Sequence, residues 1–165
     1  MNSNKKTASS EENKAIVRRF VESYNKRNLD LFDDLVAADY VDHIHQLHGL
    51  ESLKQLFRLG FNAFPDWHET IEDIIAEGDK VWVRLTYTGT HTGEFRGLAP
   101  TGKKTTTMGL MIYRIVNGTL VEGWDLSDYL ALLKQLGVIE YTEEGKKLFP
   151  EDQTETQGLN IQEDK

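Results

Sequence analysis

Apolar residues recur at helical spacing in the first third of the chain and at every second position beyond residue 67. Ala15, Ile16, Phe20, Val21 and Tyr24 predict a helix that begins near Glu11 or Glu12 and ends around Asn25–Asn28, with acids in its first turn where the macrodipole favours them. Leu29–Val36 reads as a second, short helix with Leu31, Phe32 and Leu35 on one side, and Ala38–His43 as a brief extended piece. Gly49 precedes a third helix, Leu50–Ala63, whose Leu53, Leu56, Phe57 and Phe61 form an apolar stripe; Phe64-Pro65-Asp66 stops it.

The period of two then predicts a strand over Thr70–Glu77, a turn at Gly78-Asp79 and a return strand over Val81–Thr88. A Gly/Pro-rich connection, GTHTGEFRGLAPTGKK, leads to a long hairpin over Met108–Asp128. Asn117-Gly118 marks its turn, because both central positions of such a turn require positive φ. Tyr129–Leu136 is the last helix, closed by Gly137. Three helices, a meander of strands and a final helix make an α+β pattern, unlike βαβ alternation. The hairpin is apolar on both parities (Met108, Leu110 and Ile112 against Met111, Tyr113 and Ile115), so both sheet faces are expected to be covered. A curved sheet achieves this by wrapping its concave face over the helices, with a pocket between, and packing its convex face on another subunit.

At 165 residues this is one domain with tails: a mobile segment over 1–10, a folded unit over 11–139, and an acidic, largely disordered tail over 140–165 with one apolar knot at Leu148-Phe149-Pro150. The tail holds eight acids against three lysines, so −5 of the net charge of −8 lies there and only −3 in the rest. No basic stripe offers a track for a phosphate backbone, which argues against nucleic acid. The chain has no cysteine, which excludes disulfides, thiolate nucleophiles and cysteine-bound zinc. Neither a secretory signal nor an apolar run of membrane length is evident, so the expected location is the cytoplasm and no membrane contact is expected.

Several fragments, in order, resemble the SnoaL-like polyketide cyclases, or ester cyclases, of the nuclear transport factor 2-like superfamily. They are Tyr40-Val41-Asp42-His43, Gly49, Phe64-Pro65-Asp66, Ala76-Glu77-Gly78-Asp79-Lys80-Val81, Gly89-Thr90-His91-Thr92-Gly93, Gly97 to Lys103, Asn117-Gly118, Trp124 with Asp128 four residues on, and Gln135-Leu136-Gly137. The resemblance implies a cone-shaped, cystatin-like α+β barrel, a curved mixed sheet wrapped around N-terminal helices. It also implies a homodimer or homotetramer and a cofactor-free pocket for a small-molecule ligand. Characterised members close a ring by intramolecular aldol condensation of a polyketide ester; a non-catalytic ligand-binding protein of the same superfamily is the alternative.

The chemistry asks for one base to remove an acidic methylene proton and one acid to protonate the accepting carbonyl. Asp125 and Asp128 stand where the return strand empties into the last helix. The resemblance assigns the acid/base role to Asp128, although Ser127 or Asp128 is equally placed to cap that helix. Asp125, of opposite strand parity to Trp124, is the second choice. His43 is the third catalytic candidate, as a carbonyl-polarising group or a satisfied buried histidine. His43 and His45 share a face at metal-ligand spacing, but no third ligand is evident and no metal is expected. His91 belongs either to the pocket or to a loop that shapes the rim. Arg114 either pairs with Glu122 across the hairpin turn or points inward. Trp82, Trp124, Tyr113 and Phe61 complete the expected substrate-binding set, with plain core as the other reading.

Overall fold

The computed structural model describes residues 9–148. Helix α1 spans Ser10–Asn25 and opens on a capping box: the Glu12 N–H donates to the Ser9 hydroxyl at 3.2 Å, and the Ser9 N–H donates to the Glu12 carboxylate at 2.7 Å. The expected second helix divides into a 3-10 turn, Leu29–Leu31, and a single α turn, α2 (Phe32–Leu35). Val36 already belongs to strand β1 (Val36–Asp42), because a β-branched residue fits the pleat better than a fraying helix end. A two-residue strand, β2 (Leu47–His48), precedes α3 (Leu50–Ala63). Strands β3 (His68–Glu77), β4 (Lys80–Thr90), β5 (Lys104–Val116) and β6 (Thr119–Ser127) follow. Helix α4 (Tyr129–Leu136) closes on Gly137 with φ 74°, and a short α5 covers Glu143–Leu148. The expected 1–10 tail, apart from Ser9 and Ser10, and the acidic tail beyond Leu148, with Phe149-Pro150, lie outside the described residues.

The six strands form one curved sheet in the order β2-β1-β6-β5-β4-β3, antiparallel throughout except that β1 runs parallel to β6. The β5–β6 turn is the one expected: Asn117 and Gly118 have φ 52° and 85°. β5 starts earlier than Met108, since Thr105-Thr106-Thr107 is a β-branched run that continues the ladder with β4. The parallel β1–β6 pair carries no short-range signal in the sequence.

Register sorts the side chains into two faces. Val81, Val83, Leu85 and Tyr87 of β4 stand opposite Tyr113, Met111, Gly109 and Thr107 of β5, and Gly109, Met111 and Tyr113 pair on with Ser127, Asp125 and Gly123 of β6. This is the concave face. It closes on Val17, Phe20, Val21 and Tyr24 of α1 and on Phe32, Leu35, Leu53 and Phe57, with Phe20 edge-on to Tyr113 at 5.7 Å and Tyr24 stacked on Phe57 at 4.7 Å. Each such fully buried side chain contributes about 1.5–3 kcal/mol relative to exposure. The convex face carries Ile75, Trp82, Met108, Leu110 and Leu126, all exposed, with Leu126 at 72%.

Candidate active site

The strand-to-helix junction places its two aspartates differently. Asp128 is exposed and is the N-cap of α4, accepting from the Ala131 N–H at 2.9 Å. Of its two readings, capping is therefore what the geometry provides, and burial in a hollow is not. Asp125 faces inward from β6, opposite Met111, and the Ser127 hydroxyl donates to it at 2.7 Å. Burial pushes its carboxyl above the usual range and the nearby Asp42 adds to that, while the Ser127 hydrogen bond and the charge of His45 oppose it.

Two glycines make room around Asp125. A Cβ at Gly123 would overlap the Tyr40 hydroxyl, and one at Gly109 would overlap the Tyr87 hydroxyl and ring. Because Gly109 opposes Ser127 and Gly123 opposes Tyr113, the two phenols lie over the concave face on either side of Asp125. Burial raises both phenols far above their ordinary value, and the Asp125 charge raises them further, so both remain neutral donors.

The histidine that joins this group is His45, not His43. Asp42 ends β1 on the inner side, and its Oδ1 accepts from the Ile44 N–H at 3.0 Å and the His45 N–H at 2.8 Å, an Asx turn. That turn brings His45 Nδ1 to 3.2 Å from Asp42 Oδ2 and Nε2 to 3.3 Å from the Tyr129 hydroxyl. The Asp42 hydrogen bond raises His45 above its ordinary value, against the effect of burial, and the charges of Asp42 and Asp125 add to it. Burial works against the Asp42 carboxylate, but its bonds to His45 and Ile44 hold it below the usual range. His45 is thus biased toward its protonated form, while the nearby Asp125 carboxyl holds its proton more tightly than usual.

The remaining predicted residues separate from this centre. His43 lies on the convex side, its ring stacked on Trp124 at 4.6 Å and its Nε2 3.0 Å from Glu122. Trp82 shares that face, since Trp82, Ile112 and Trp124 are neighbours in register. Arg114 stands opposite Glu122 and donates to it through Nε at 2.8 Å, the cross-strand pair and not an inward cation. His91 is fully buried at the base of the 91–103 loop, where its Nδ1 accepts from the Thr101 N–H at 3.2 Å and its ring lies 5.1 Å from Phe64. It shapes the rim. Tyr113 is a core residue of the concave face, and Phe61 packs at the core's edge beneath the Arg27 guanidinium, 4.1 Å from its ring centroid. Among the described residues no cluster of three or more histidine, cysteine or acidic side chains is arranged to hold a metal. An open groove between α1 and β3, lined by Arg18, Glu22, Lys26 and His68, contains none of the predicted residues.

A sequence profile of the SnoaL-like polyketide cyclases matches residues 14–136. The chain is a member of that family. Among its SnoaL-like relatives, the aklanonic acid methyl ester cyclase DnrD of Streptomyces peucetius is 31% identical over 137 residues, spanning 79% of this chain and 94% of DnrD. The nogalonic acid methyl ester cyclase of Streptomyces nogalater is 26% identical over 122 residues, 71% of this chain and 91% of that enzyme. The crystal structure of AclR from Streptomyces galilaeus, provisionally assigned as a hydroxylase, aligns with a TM-score of 0.73 at 32% identity, over 80% of this chain and 100% of AclR. The SnoaL-like cone is thus the fold of this chain.

Sequence reasoning missed His45, Tyr40, Tyr87 and Ser127 as site residues. Two signals for them were present: the Asp42-x-x-His45 spacing of an Asx turn, and the parity that puts Ser127 on the side of Asp125.

Proposed function

We propose that this chain is a cofactor-free cyclase that closes a ring by intramolecular aldol condensation in a keto ester, with Asp125 as the group that moves the proton. The supporting observation is the inward, partly desolvated Asp125, flanked by two neutral phenols and near His45, whose protonated form the surrounding carboxylates favour. As a carboxylate of raised basicity, Asp125 takes a proton from the methylene between two carbonyls. The enolate carbon attacks the ketone carbon, forming the C–C bond while the carbonyl π electrons move to oxygen. That oxygen takes a proton, either the one now held by Asp125 or one from His45, which Asp125 then replenishes, so no proton is gained or lost overall. The Tyr40 and Tyr87 hydroxyls, neutral and preoriented, donate to the charge that develops on oxygen.

Asp128 serves this reading as the cap that fixes where α4 leaves β6, and Asp125 replaces it as the catalytic choice. The substrate ring system lies at the Asp125 end of the concave face, against Tyr129 and the 91–103 loop. The convex face, with its exposed Trp82, Leu110 and Leu126, covers itself in a homodimer, since a soluble monomer rarely leaves so large an apolar patch to water.

The test is turnover of an aromatic keto ester by purified variants. Asp125→Asn is expected to fold normally and lose about 10²–10⁴ in rate, as the removal of a positioned acid/base group does. Unchanged turnover by Asp125→Asn would refute the assignment.

A further inference from the structure

At the tip of the 91–103 loop stands an arginine in a conformation that its residue type disfavours. Phe95 and Leu98 exchange backbone hydrogen bonds of 3.0 and 2.9 Å, so Arg96-Gly97 forms a two-residue turn. Arg96 has φ 50° and Gly97 φ 85°. Positive φ at both central positions calls for Asn, Asp or Gly at the first, so an arginine there is strained, and its one local contact within the turn is the guanidinium 5.6 Å from the Phe95 ring centroid. Strain of this kind points to a role for the side chain.

The side chain reaches the site. Its guanidinium lies 5.6 Å from the Tyr129 ring centroid, and Tyr129 in turn contacts His45. Its charge lowers both Tyr129 and His45, opposing the larger effects on each. No ion pair neutralises Arg96 among the described residues, whereas Arg114 pairs with Glu122 and Lys54 with Asp33. The loop that carries it is fixed at its base: the His91 N–H donates to Lys103 O and the Gly102 N–H to His91 O, each at 2.9 Å, and buried His91 ties down Thr101.

We infer that Arg96 is a specificity residue at the rim, where its guanidinium binds an anionic oxygen of a planar substrate lying against Tyr129. A guanidinium offers a planar fork of donors, which suits the enolate or phenolate of a conjugated hydroxyketone better than a neutral ester. This deepens the cyclase reading and rests on it for the site.

The experiment measures equilibrium binding of two flat probes: lawsone, a hydroxynaphthoquinone that is an enolate at neutral pH, and its neutral methyl ether. Wild type is expected to prefer lawsone, and the preference should shrink as salt is added. Arg96→Asn relieves the turn, so its melting temperature should hold or rise while lawsone affinity falls about ten- to hundredfold and ether affinity stays. Arg96→Lys should keep part of the preference. Equal losses for both probes, no loss for either, or a fall in melting temperature with lawsone binding intact would overturn the assignment. Turnover of the keto ester by Asp125→Asn, measured alongside the binding of both probes by wild type and the Arg96 variants, separates the two proposals. Lawsone binding that depends on Arg96 in a protein that turns over no keto ester keeps Arg96 and removes the cyclase. Turnover lost in Asp125→Asn, with lawsone binding indifferent to Arg96, does the reverse.

Discussion

Asp125 and Asp128 are three residues apart and serve opposite sides of one junction. Asp125 turns into the concave face and accepts from Ser127 at 2.7 Å, while Asp128 stays in water and accepts from the Ala131 N–H at 2.9 Å. A strand that becomes a helix rotates its side chains from a period of two to one of 3.6, so neighbours in sequence part company there.

Removing the cap tests that division. Asp128→Ala is expected to cost about 1 kcal/mol of stability, read by thermal or urea unfolding, and to leave turnover per folded molecule within a few-fold of wild type. A loss of rate as large as that of Asp125→Asn would return the catalytic role to Asp128.

The His45–Asp42 pair predicts a pH effect of definite sign. His45 is raised in the folded protein, so its contribution to stability is complete below the ordinary histidine range near 6.5 and is lost as pH rises through the folded value. Asp42→Asn should therefore destabilise more at pH 6 than at pH 9. It should also move the alkaline limb of the rate profile to lower pH, since His45 then loses its proton sooner.

Glu69 makes a prediction of the same sign over a lower pH range. Its carboxyl is buried, held by Tyr24 and by the Trp67 indole N–H at 3.1 Å, and burial pushes it up to about 7 against those bonds. A carboxyl raised from 4.5 binds its proton more tightly when folded, so stability falls as pH climbs from 4.5 to about 7 and then levels. Glu69→Gln should flatten that slope, measured as urea midpoints across the range.

Gly123 and Tyr40 should behave as a coupled pair. Gly123→Ala forces a methyl onto the Tyr40 hydroxyl and is expected to cost about 1–3 kcal/mol. Tyr40→Phe removes the obstructing oxygen, so the double variant should recover part of the loss, which a double-mutant cycle on unfolding free energies would register.

Most of the fold was legible because its cues are local. Leu50–Ala63 and Tyr129–Leu136 end where Gly49, the Phe64-Pro65 stop and Gly137 place their ends, and Asn117-Gly118 alone fixes the β5–β6 register near the turn. The parity of Trp124 and Asp125 was also readable, since the strand stays regular there, and it sends Trp124 outward. The pairing of β1 with β6 was not readable, because it joins residues some eighty positions apart through no turn. With that pairing unseen, His43 and His45 could not be told apart: one step beyond Asp42, His43 falls on the Trp124 side, and the Asx turn swings His45 to the other. Arg114 and Trp82 were large or charged residues near the right strands, but register assigns them to the outer surface.

The parallel pairing of β1 and β6 also bears on how the protein is made. Asp42 comes from the first strand and Asp125 from the last full one, so no nascent or clipped chain lacking either end can assemble the pair. Closing so distant a contact is slow and entropically demanding. Activity should therefore emerge late in refolding, after helix signal and hairpin pairing have already recovered.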